Sequence, residues 1–74
     1  MYRRHELDAD LAARLARRRR ELRLTQAQVA RRLGVSESTV MRLESLRVGF
    51  SPEMQTAFEG VLAAAERVPD EVRP

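Results

Sequence analysis

The sequence predicts a small all-α domain of four to five helices, and three observations point there. Apolar side chains recur at helical spacing, as in Leu11, Leu15 and Leu22, or in Phe58, Val61, Leu62 and Ala65. Hydroxyl residues stand at the head of the later stretches, where Thr25, Ser36 and Ser51 can each accept from an unpaired helix N–H. The chain has 74 residues and no cysteine. A core burying about 60% of the unfolded surface must therefore hold it together without disulfides. Neither an internal repeat nor a low-complexity linker divides it. One domain over residues 9–68 is expected, with flexible tails at 1–8 and 69–74.

The first helix is expected from about Ala9 to Leu22, with Asp8 or Asp10 as its cap. A carboxylate there also suits the positive end of the helix dipole. Arg18 falls on the leucine stripe, where its aliphatic stem can cover apolar surface while the guanidinium reaches water. Arg23 and Leu24 make a short connection to the second helix. Thr25 caps that helix, and Gln28 three residues later completes a capping box. Val29, Ala30 and Leu33 point inward, whereas Gln26, Arg31 and Arg32 stay outside. Gly34 stops the helix at a position that calls for positive φ.

Val35 plugs the turn and Ser36 caps a third helix over about residues 36–46. Val40 and Leu43 face inward there, while Glu37, Ser38, Met41, Arg42 and Ser45 share the exposed side. Leu46 to Phe50 read as a loop with Gly49 as its flexible point. Ser51-Pro52-Glu53 then restarts a helix with a cap, a proline at its first position and an acid in its first turn. Met54, Phe58, Val61, Leu62 and Ala65 give this last helix its apolar side to Glu66 or Arg67; Gly60 weakens it modestly and Pro69 ends it. The Gly34-Val35 connection is too tight for anything but a sharp turn. Two helices so joined, with a braced second member whose polar face is free, meet the physical requirement of a helix-turn-helix.

Charge sharpens that reading. The net charge is only +3, yet residues 14–47 carry ten arginines against Glu21, Glu37 and Glu44, a local balance of +7. Such a patch attracts a polyanion by steering and counterion release. All 14 basic residues are arginine, a bias that a GC-rich genome also produces, so the location of the charge informs more than the choice of arginine. No enzyme is expected: His5 sits near a terminus, the carboxylates occur singly on helical faces, and no glycine-rich phosphate loop is present. The same features predict no metal, no cofactor and no small-molecule ligand. No apolar run approaches the roughly 20 residues of a membrane span, and a cytoplasmic location is expected, in the bacterial nucleoid or in a host cell if phage-encoded. RNA binding through the arginine-rich first helix ranks lower, because Tyr2, Phe50 and Phe58 offer no stacking platform.

From Thr25 to Glu44 the chain closely resembles the lambda-repressor-like, Cro-type helix-turn-helix family. The matching residues are Thr25-Gln26, Val29-Ala30, Gly34-Val35-Ser36, Thr39-Val40 and Leu43-Glu44, and the likeness extends over roughly residues 11–66. It implies that Gln26 hydrogen-bonds a DNA phosphate at the second helix's N-terminus, where free N–H groups favour anions. Thr25 either supports that contact or is a simple cap. Arg19 and Glu44 match positions of a buried ion pair bracing the first helix against the third.

The family's base-reading positions fall on Glu37, Ser38 and Arg42, with Ser36, Thr39 and Ser45 close to the groove or backbone. Arg42 can donate two hydrogen bonds to guanine, or else meets a phosphate. Glu37 either accepts from cytosine N4 or only stabilises the helix dipole. Arg47 is a phosphate candidate. The chain departs from the family's pattern after Glu44, where a shorter, more apolar loop places Val48 and Phe50. These two either pack beneath the last helix or join Met54, Phe58 and Val61 in a dimer surface.

The function implied is a sequence-specific double-stranded DNA-binding transcriptional regulator, similar to phage Cro, a small phage repressor or a restriction–modification controller. One reading helix covers few base pairs, so a homodimer on half-sites about 34 Å apart is expected. The alternative is an antitoxin or anti-regulator module acting mainly on a protein partner through Met41, Val48 and Phe50.

Overall fold

Four helices and no strand make up the described residues, 8–45 and 47–67 of the computed structural model. The expected tails lie outside them, apart from Asp8, as does Leu46 of the loop. The helices are α1 (Ala9–Glu21), α2 (Gln26–Leu33), α3 (Glu37–Glu44) and α4 (Pro52–Glu66).

Each start is fixed by a side chain that replaces a missing helical acceptor. Asp8, rather than Asp10, caps α1, accepting from the Leu11 N–H at 2.9 Å. Thr25 Oγ1 accepts from the Gln28 N–H at 3.0 Å, and Gln28 Oε1 accepts from the Thr25 N–H at 2.8 Å, closing the capping box on α2. Ser36 and Ser51 cap α3 and α4 in the same way, accepting from the N–H groups of Thr39 and Met54. Pro52 occupies the first turn of α4, where no N–H is needed. The third helix is shorter than expected. Ser36 is the expected N-cap, and Ser45 is the C-cap instead of a helical residue.

Helix α1 packs on α3 and α4, and α2 packs on the same two helices, so the four enclose one core. Leu11, Leu15, Leu22, Leu24, Val29, Val40, Phe58, Leu62 and Ala65 fill it. Phe58 is completely buried, as are Val29 and Val40, and removing such a ring from water contributes roughly 1.5–3 kcal/mol. The Phe50 ring meets it edge-on, with centroids 5.7 Å apart and planes at 73°.

One expectation is corrected by this packing, and the packing alternative for Phe50 is met. Phe58 cannot belong to a dimer surface, because its whole side chain is inside the single chain. Phe50 packs against the core under α4 and is half-buried. Helical periodicity places Phe58 on the apolar face of α4 but does not say how deep that face sits. Met54 and Val61 stay half-buried, and Val48 is 41% exposed.

Candidate nucleic-acid interface

Helix α3 is held on one side and open on the other. Val40 and Leu43 are buried. Glu37, Ser38, Met41, Arg42 and Ser45, on the opposite arc, are all exposed. Thr39 is half-buried at the edge. With Gly34 at φ 75°, the α2–α3 turn reverses the chain within Gly34, Val35 and Ser36. The half-buried Val35 packs against the core and sets the angle at which α3 leaves.

The brace between α1 and α3 is an ion pair inside the molecule. Arg19 Nε and Nη2 donate to Glu44 Oε2 and Oε1 at 2.7 and 3.0 Å, a two-pronged fork. The two side chains retain only 10% and 7% exposure. Arg19 Nη1 also donates to the Leu24 carbonyl at 2.7 Å, so one guanidinium ties α1 to α3 and to the turn before α2. Glu44 therefore faces inward, away from the exposed arc.

The same carboxylate reaches α2. Gln26 Nε2 donates to Glu44 Oε1 at 3.0 Å, a contact that sequence spacing gave no means to foresee. It orients the amide at the α2 N-terminus while leaving its second N–H and its carbonyl oxygen unengaged by this bond. Other phosphate candidates also have internal partners. Ser36 Oγ and Thr39 Oγ1 lie 3.0 Å apart, and Ser45 Oγ donates to the Arg42 carbonyl at 3.4 Å. The Arg47 N–H donates to the same carbonyl at 2.9 Å, which fixes the Arg47 backbone to the end of α3. Its side chain is exposed.

Arg18 keeps its side chain 43% exposed, as expected, and finds two carboxylate partners at the surface. Its Nε and Nη2 donate to Glu66 Oε1 at 2.9 and 2.7 Å, and Nη1 to Glu21 Oε1 at 3.2 Å. These bonds, the Glu66 one first, hold its pKa above the ordinary arginine value. Glu66 lies 48 residues away, and no local pattern announces such a partner. Arg14, Arg17, Arg20, Arg31 and Arg32 are exposed, so the positive charge of this segment stays largely at the surface.

A capped helix pair joined by a left-handed glycine, its second member braced inside and bare outside, defines a helix-turn-helix. A family model described as a helix-turn-helix domain matches residues 10–73. The chain belongs to that family, which is Cro/XRE-like. A search of curated proteins found no match. Among the described residues, no helix is long and apolar enough to cross a membrane.

Proposed function

We propose that the protein is a sequence-specific transcriptional regulator of the Cro or repressor kind, binding double-stranded DNA as a homodimer on a pseudo-palindromic operator. The observation that carries this reading is the exposed arc of α3, which bears Glu37, Ser38 and Arg42 on a helix whose other side is locked by Val40, Leu43 and Glu44. Arg42 is the principal base reader, with Glu37 and Ser38 beside it. Thr25, Gln26, Ser36, Thr39, Ser45 and Arg47 line the phosphates. Dimer contacts come from the exposed Val48, with the half-buried Phe50, Met54 and Val61 beside it. The exposed Val48 also supports the second reading, a module that binds a protein partner. That reading ranks behind, because the basic surface suits a polyanion better.

Selection of bound sites from a random duplex pool tests the proposal, with a palindromic consensus expected. Arg47→Ala is then expected to weaken every sequence alike and to reduce the log–log salt slope by about 0.9. Arg42→Ala is expected to relax preference at particular base pairs, at about 1–3 kcal/mol of discrimination. Random DNA competing equally with the selected site would overturn sequence-specific binding.

A further inference from the structure

We infer that Met41 is a specificity-determining residue that reads a C5-methyl group on a pyrimidine in the major groove; the inference rests on the proposed DNA reading of α3. Met41 is 50% exposed, the most open large apolar side chain among the described residues. It sits in the middle of the bare arc, one turn after Glu37 and one turn before Ser45, with Ser38 on its other flank. Ser38 and Ser45 are short, and the long side chains of Glu37 and Arg42 end in charge. The thioether is thus the one long apolar group on that arc.

An apolar group lowered among base edges gains only where it meets another apolar group. In the major groove the C5-methyl of thymine is that group, and 5-methylcytosine presents the same methyl at the same ring position. Methionine suits the task. Its unbranched, polarizable chain adapts to a contact that polar neighbours fix only loosely. Arg42, the next residue, can engage a guanine with two hydrogen bonds, so α3 would read a polar and an apolar feature side by side.

The experiment uses the full 74-residue chain and the site selected from the random pool. Each thymine in that site is replaced singly by deoxyuracil, which removes the methyl and nothing else. One position is expected to lose about four-fold in affinity, the equivalent of one buried methyl. In Met41→Ala, which keeps α3 helical, that position should lose nothing, while Met41→Leu should retain the sensitivity. Replacing cytosine by 5-methylcytosine distinguishes the two methyl sources: a gain at one cytosine that vanishes in Met41→Ala assigns the contact to methylated DNA. A selected site bound specifically, with identical deoxyuracil and 5-methylcytosine profiles for wild type and Met41→Ala, overturns the inference and leaves the regulator reading standing. Failure to select any site overturns that reading instead.

Discussion

The ends of α1 and α2 are closed by the same hydrogen bonds and by different residues. After α1, the Leu24 N–H reaches the Arg19 carbonyl at 3.1 Å and the Arg23 N–H reaches Arg20 at 2.9 Å. After α2, the Val35 N–H reaches Ala30 at 3.0 Å and the Gly34 N–H reaches Arg31 at 3.3 Å. Both are Schellman closures, which need one residue in the left-handed region. Gly34 takes it at φ 75° and Arg23 at φ 62°. The glycine turn forms from its own residue. The arginine turn is imposed from outside: Leu22 and Leu24 on either side of Arg23 are buried, and the Leu24 carbonyl is held by Arg19, which Glu44 holds in turn.

The largest way to break this contrast is Glu44→Ala. It leaves the Arg19 guanidinium buried without its carboxylate, releases Gln26 and loosens the first turn. A loss of about 3–5 kcal/mol is expected, a large part of the roughly 5–15 kcal/mol of a whole domain. Thermal unfolding followed by circular dichroism measures it. Amide exchange should rise more at Arg23 and Leu24 than at Gly34 and Val35. A loss below about 1 kcal/mol would place the pair with ordinary surface salt bridges and refute its role as the brace.

The same contrast explains what the sequence discloses. The second turn was legible because Gly34 and Ser36 announce a left-handed stop and a cap within three positions, and the whole motif from Thr25 to Glu44 inherits that clarity. The first turn was not. Nothing in Leu22-Arg23-Leu24 signals positive φ, since the cause lies in burial and in a guanidinium four residues upstream. Long-range polar contacts were hidden for the same reason: Gln26–Glu44 and Arg18–Glu66 join separate elements at no characteristic spacing. The Arg19–Glu44 pairing was anticipated through family resemblance rather than from the residues themselves. Depth is equally illegible: periodicity leaves Phe58 open to a dimer surface or to the core, and it stands at the centre of the core.

A smaller effect is expected from Gly34→Ala. A Cβ built at Gly34 meets nothing within 4 Å, so the cost is left-handed strain of about 1–2 kcal/mol. It is offset by about 0.5–1 kcal/mol, because alanine leaves the unfolded chain less freedom. The midpoint in urea should fall with an unchanged slope. A shift in the slope would mean that the turn rearranges instead of straining. Because α3 hangs from this turn, a rearrangement would also disturb DNA binding, which strain alone leaves intact.

The last effect is no larger and has the opposite sign. Arg23→Gly relieves about 1–2 kcal/mol of left-handed strain but gives the unfolded chain more freedom, which offsets about 0.5–1 kcal/mol. A net gain of about 0.5–1 kcal/mol is expected, read as a higher urea midpoint. The gain should add to the Gly34→Ala loss in the double variant, since the two turns use separate hydrogen bonds. The exposed Arg23 side chain has little to lose beyond its charge. Destabilisation by Arg23→Gly would show that this side chain supports the fold through contacts stronger than the strain it bears, and the first turn would then be locally secured after all.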